Sequence, residues 1–283
     1  MKKQLLLAAV MLLGSGVACL AAGLTAGTPQ RVAQSADGLM APVWSPDGTK
    51  IAATGPNYTG IYVFNSDGSY GMQLTDAVGA GYKMAWNADG TEIVGRTNLH
   101  DGLRVMHEIK AWNVNNGSSR TLQEKQRSNH TPESVASKVS LFRTMTTEAD
   151  QVMNLDYPGF AQYAGLTVIN PALSPDGKRI AFQIVGNGMF VVDVDGNNLR
   201  SIGQGSNPAW MPDNNTIVYT IVRDNGHQYT GSTLMSLTLN DMSKNILIDN
   251  DSYIPVRPSI TADGSRLAFE NVVDQSIYVV TLK

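Results

Sequence analysis

"WSPDGTKIAATG", Trp44 to Gly55, sets a turn between two apolar pieces, and "LSPDGKRIAFQ" from Leu173 repeats the arrangement. Ser45-Pro46-Asp47-Gly48 reads as a type I turn. Proline presets φ at its second position, and glycine then takes φ > 0 and makes the bulge from which two strands leave antiparallel. Taken singly, each copy is a generic hairpin turn. Aligned on it, the chain shows "VWSPDGTKIAAT" from Val43, "AWNADGTEIVGR" from Ala85, "ALSPDGKRIAFQ" from Ala172, "AWMPDNNTIVYT" from Ala209 and "SITADGSRLAFE" from Ser259. Where glycine is missing, Asn214 is the next-best residue for a left-handed backbone. The turn aspartates Asp47, Asp89, Asp176, Asp213 and Asp263 follow one another at 42, 87, 37 and 50 residues. The gap of 87 is twice the typical period, which predicts a degenerate copy near Thr131-Pro132-Glu133-Ser134 and six copies in all.

Each copy carries a second strand pair. "IYVFNSDGSYGMQLT" from Ile61 and "MFVVDVDGNNLRSI" from Met189 both read strand, turn, strand. Four short strands in roughly 40–45 residues is the size of one propeller blade. The last copy stops after its third strand, "SIYVVTLK" from Ser276; Pro29 to Gln34, "PQRVAQ", supplies the fourth and closes the ring, removing an exposed sheet edge. The expectation is an all-β, six-bladed β-propeller with four-stranded antiparallel blades over residues 28–283, its third blade, about 124–166, being degenerate.

These residues resemble the TolB-type, WD40-like repeat of bacterial periplasmic propellers. "PVWSPDGTKIAAT" with "IYVFNSDG", and "NPALSPDGKRIAFQ" with "FVVDVDG", carry the resemblance, which spans Ala41 to Leu282 apart from the third copy. It implies a six-bladed propeller outside the cytoplasm that serves as a protein-docking surface. The chain lacks the additional N-terminal α/β domain of TolB, so a role in envelope integrity does not carry over. Similar blades also precede serine-peptidase domains and build oligogalacturonate lyases, so the fold leaves function open.

The first residues stand apart from the repeat. Lys2 and Lys3 precede an apolar run, Leu5 to Leu13, too short to span a bilayer, and small residues follow. That is the layout of a secretory signal peptide over residues 1–22, of bacterial type. "GVAC", Gly16 to Cys19, resembles a lipobox with glycine in place of the usual leucine. Two readings of Cys19 therefore stand side by side: lipidation at this residue, or cleavage beyond it. One gives a membrane-anchored lipoprotein, the other a periplasmic protein. As the only cysteine it excludes an internal disulfide. Without the two lysines, Lys+Arg falls from 21 to 19 against 24 acidic residues, a charge near −5. A mildly acidic body argues against nucleic acid, whose phosphates need a basic face.

The chain carries no G-x-S-x-G elbow, H-E-x-x-H signature or P-loop. His107-Glu108 starts like a zincin motif, but Ala111 stands where the second histidine is required. Asp193, Asp195 and Asn197 space like the opening of a calcium loop, yet Asn198 and Gln204 occupy its glycine and glutamate positions, and a turn between strands explains them. The expectation is no catalytic residue and no cofactor or metal. Trp44, Trp86 and Trp210 share one repeat position, which points to packing between blades rather than a sugar platform.

In such a ring, first-to-second and third-to-fourth turns share one face. They are short and polar here. The opposite face collects "GPNYTG", "NLHDGLRVMHE", "RDNGHQYTG" and "DNDSYIPVR", and with them Tyr58, His100, His107, His227, Tyr229 and Tyr253. Loops on a rigid scaffold carry binding, and tyrosine suits interfaces. The leading expectation is a monomeric, non-catalytic docking module that meets an envelope or periplasmic protein through this face, touching membrane only through a lipid anchor. The second reading is a glycan-binding or glycan-degrading propeller with its site at the central channel mouth.

Overall fold

The computed structural model describes residues 23–126 and 168–283. Strand β1 (Gln30–Ala33) belongs to the last sheet; the others follow the repeat in chain order. The first sheet is β2 (Met40–Trp44), β3 (Lys50–Thr54), β4 (Ile61–Asn65) and β5 (Gly71–Thr75). The second is β6 (Ala85–Trp86), β7 (Glu92–Asp101), β8 (Arg104–Asn113) and β9 (Ser119–Gln126). The third is β10 (Val168–Leu173), β11 (Arg179–Ile184), β12 (Gly188–Asp193) and β13 (Arg200–Gly203). The fourth is β14 (Ser206–Trp210), β15 (Thr216–Asp224), β16 (Tyr229–Thr238) and β17 (Lys244–Ile248). The fifth is β18 (Pro255–Ile260), β19 (Arg266–Asn271) and β20 (Ser276–Thr281), and β1 pairs antiparallel with β20.

The count is a correction. Among the described residues there are five four-stranded sheets, not six. The blade expected over about 124–166 falls outside the described residues, except that 124–126 finish β9 in the second sheet. The segments read as long loops also differ: Asn98 to Glu108 is mostly strand, with β7 and β8 paired as far as Asp101 and Arg104, and Arg223 to Gly231 shrinks to a short turn between β15 and β16.

Each repeated turn has the expected chemistry. Gly48, Gly90, Gly177 and Gly264 have φ of 68°, 71°, 71° and 74°, and Asn214 follows at 55°. In the first turn the Gly48 N–H donates to Ser45 O at 2.9 Å, while the Ser45 hydroxyl donates to Asp47 Oδ1 at 2.6 Å. Second strands are buried on both faces and so read as unbroken apolar runs: Ile51-Ala52-Ala53, Ile180-Ala181-Phe182 and Leu267-Ala268-Phe269 are each at most 1% exposed.

Neighbouring sheets share cores. Ile61 of the first sheet packs in one cluster with Trp86 and Trp112 of the second. Ala181 of the third joins Trp210 and Tyr219 of the fourth, Val218 and Leu234 of the fourth join Phe269 of the fifth, and Ala268 and Ile277 of the fifth join Trp44 and Ile51 of the first. The tryptophans fasten these contacts as inter-sheet clasps. Trp44, Trp86 and Trp210 donate their Nε1–H to Ser259 O (3.1 Å), Val43 O (3.1 Å) and Ala172 O (2.9 Å), in each case on the innermost strand of the preceding sheet in that cluster. Arg266 then stacks on Trp44 at 4.7 Å and Arg179 on Trp210 at 5.3 Å.

Candidate functional site

The innermost strands share an unexpected feature. Ala41, Lys83, Asn170, Asn207 and Arg257 all have left-handed backbones, with φ of 53°, 52°, 51°, 53° and 49°. Each stands three residues before the position held by Trp44, Trp86, Leu173, Trp210 or Ile260. At four of the five the pairing with the second strand slips, between Met40 and Val43, Ile169 and Ala172, Ser206 and Ala209, and Val256 and Ser259. The bulge bends the strand and re-aims a side chain. A left-handed backbone costs on the order of 1 kcal/mol or more for alanine, lysine or arginine and less for asparagine. Such strain repeated at one position concentrates where a fold builds a site.

Three of these residues line one cavity of about 410 Å³: Asn170, Asn207 and Arg257. Gln183 adds an amide from β11, and the Asn170 amide donates to it at 3.3 Å. Gln204, Gly205 and Ser206 add the link between the third and fourth sheets, and Asp224 with Tyr229 the turn end of the β15–β16 hairpin. Gly205 is required here: a Cβ would lie 2.5 Å from the Tyr219 ring. Tyr58 enters from the first sheet on the β3–β4 connection, where both Asn57 (φ 55°) and Tyr58 (φ 58°) are left-handed. Its ring meets Tyr82 edge-on at 5.1 Å, and the Tyr82 ring in turn faces Arg96 at 5.0 Å.

Arg257, the one cation among the described lining residues, is tied down. Arg257 Nη1 donates to Glu270 Oε2 at 2.7 Å, and the same oxygen accepts the Ala41 N–H at 3.2 Å. Burial pushes the Glu270 carboxyl above its ordinary range, with the guanidinium opposing the rise. Among the described residues no three His, Cys, Asp or Glu side chains gather as a metal site would require.

Of the residues singled out from sequence, Tyr58 and Tyr229 come together at this cavity. The others do not join them. His100 is exposed near the end of β7, and His107 is buried with Nδ1 2.9 Å from Asn98 Oδ1. His227 lies in the turn after β15, its N–H on Asn225 Oδ1. Tyr253 packs edge-on against Phe269 and Tyr278 at 6.1 and 5.2 Å. Cys19 lies outside the described residues. Asp193, Asp195 and Asn197 bound the turn between β12 and β13, where Asp195 accepts the Asn197 N–H and Asp193 the Asn198 amide. Sequence reading missed Asn170, Asn207 and Arg257. The available signal was an asparagine three residues ahead of the repeat's large apolar position, a residue that tolerates a left-handed backbone.

Neither a protein-family model nor a curated protein matches the chain. Among solved structures, a chain of the mitotic checkpoint complex is similar with a TM-score of 0.57 at 13% identity, over 91% of this chain and 94% of that one. Agreement over nearly the whole of both chains decides the architecture. This chain is a β-propeller. The propeller is also similar to TolB from Acinetobacter baumannii, 15% identical over 90% of this chain with a TM-score of 0.39, and it spans 57% of that protein's length. Manganese-bound oligogalacturonate lyase is 13% identical over 88% of the propeller and 78% of its own chain, with a TM-score of 0.34. Identities this low concern the fold and nothing finer.

Proposed function

We propose that this propeller is a non-catalytic, exported docking module that meets a protein of the bacterial envelope through its loop-rich face. The β7–β8 hairpin carries the reading. It is twice the length of the β3–β4 pair, ten residues per strand against five, and three apolar side chains near its tip are exposed beside His100, Asp101 and Arg104. Leu103 is 104% exposed, Val105 46% and Leu99 36%. Apolar side chains held in water on a projecting hairpin raise the cost of the free state and mark an interaction surface. The β15–β16 hairpin is extended in the same manner, with Tyr229 45% exposed at its turn end. Every sheet runs in the same strand order, so both hairpins emerge on one face, the face the cavity opens on. Export rests on the sequence of residues 1–22.

The test is a photo-crosslinking amino acid placed at Leu103 or, on the opposite face, at Asp67, in the protein in its native envelope. One adduct of defined mass from Leu103 and none from Asp67 supports docking through this face. Adducts from Asp67 alone put the interface on the turn face and end the proposal.

A further inference from the structure

We infer that the cavity at the channel mouth binds a neutral carbohydrate, a site distinct from the exposed Leu103 tip of the β7–β8 hairpin. The argument is the chemistry of the walls. Asn170, Gln183, Gln204 and Asn207 bring four side-chain amides to one space, and Tyr58 and Tyr229 border it. An amide offers a donor pair and an acceptor at fixed separation, the complement of adjacent sugar hydroxyls, each of which both donates and accepts. A tyrosine ring presents a flat apolar face with a polar tip, suited to the C–H face of a pyranose. A volume of about 410 Å³ falls in the usual range for a small-ligand site.

Charge decides which sugar. Among the described residues that line the cavity Arg257 is the only cation and is already committed to Glu270, and Asp224 adds a further negative charge. A uronic acid would meet Asp224 with no uncommitted cation among the described lining residues to receive it. Hydroxyls carry no such penalty.

The amides are also held in advance. The left-handed bulges of β10 and β14 fix the Cα–Cβ directions of Asn170 and Asn207, and the two amides donate to Gln183 Oε1 at 3.3 Å and to Ser206 Oγ at 3.2 Å. Ordering them on binding therefore costs little. Gly205 lets the backbone of this wall pass against Tyr219 and Met189, where a Cβ would collide with both.

The experiment uses the full chain with maltose, cellobiose and N,N′-diacetylchitobiose as neutral probes and trigalacturonate as the acidic one. Saturation-transfer NMR finds the binder and calorimetry gives its Kd. Glycine accepts positive φ without strain, so Asn170→Gly and Asn207→Gly remove an amide while keeping the bulge. At least one neutral probe is expected to bind, each glycine variant raising its Kd about tenfold. Asp67→Asn, on the other face, leaves binding unchanged. No binding by any neutral probe overturns the inference. So does tighter binding of trigalacturonate, or a Kd indifferent to both glycine variants while their melting temperatures match the parent's.

Discussion

Arg257 and Glu270 face each other across the bulge of the fifth sheet's innermost strand, 2.7 Å apart, and through Ala41 N–H the same carboxylate reaches the first sheet. The Glu270 side chain is 12% exposed and that of Arg257 35%. Removing one member of a buried pair leaves the other without compensation. Glu270→Ala is expected to cost about 3 kcal/mol in urea unfolding, and Glu270→Gln, which keeps an acceptor for Ala41, clearly less. Equal losses in the two variants would mean that the bond to Ala41 N–H contributes nothing beyond the charge pair.

The same carboxyl sets a pH dependence of definite sign. Burial raises Glu270 above its ordinary 4.5. A raised carboxyl favours the folded state most fully while protonated, below its unfolded value, and that contribution declines as pH climbs through the folded one. The parent should lose stability relative to Glu270→Gln as pH rises from about 4.5. A gain over that interval would show that Arg257, not burial, governs the site.

The repeated turns act in the opposite direction. Hydrogen bonds from Ser45, and then from Thr49, hold the Asp47 carboxyl down at about 2 against an ordinary 3.8. Thr261 and then Ser265 do the same for Asp263, also to about 2. A depressed carboxyl stabilises the fold above its unfolded value, and the effect is lost as pH falls through the folded one. Melting temperature should therefore fall between about pH 4 and pH 2, and less steeply in the Asp47→Asn, Asp263→Asn double variant. Parallel curves for parent and variant would place the acid sensitivity elsewhere.

The turns were legible because their chemistry is local. Ser45-Pro46-Asp47-Gly48 specifies its own conformation, and five repetitions specify a propeller. The tryptophan positions were legible too, as periodic apolar residues. The site was not. Asn170, Gln183, Gln204 and Asn207 are ordinary polar residues in sequence, and they become a site only because the ring brings the third and fourth sheets together. The length of the β7 and β8 strands was hidden for a different reason: Asn98, His100 and Asp101 break the alternation expected of a strand, since near the hairpin tip there is no core for one face to cover.

The tryptophan clasps predict unequal costs. Trp44→Phe and Trp210→Phe keep a ring between sheets but lose the bonds to Ser259 O and Ala172 O and weaken the stacks of Arg266 and Arg179. Each is expected to destabilise by about 2 kcal/mol, combining a lost buried hydrogen bond with a weakened cation–π contact. Among the described residues no such stack accompanies the Trp86 bond to Val43 O, so Trp86→Phe should cost less, nearer 1 kcal/mol. Urea midpoints of the three variants at matched slope test the order.

The left-handed bulges separate strain kept for geometry from strain relieved by chemistry. Asn207 holds φ of 53° with a residue suited to it, whereas Ala41 holds the same angle with one that is not. Ala41→Gly relieves a left-handed alanine worth roughly 1–2 kcal/mol and loses about 0.5–1 kcal/mol to the greater freedom of unfolded glycine. The net expectation is a gain of about 0.5 kcal/mol or more. Ala41→Val, whose branched side chain cannot adopt that backbone, should lose several times as much. Chemical denaturation reads both. If Ala41→Gly destabilises while Ala41→Val is tolerated, the first strand does not hold the bulge, and the common geometry of the five positions cannot underlie the site at the channel mouth.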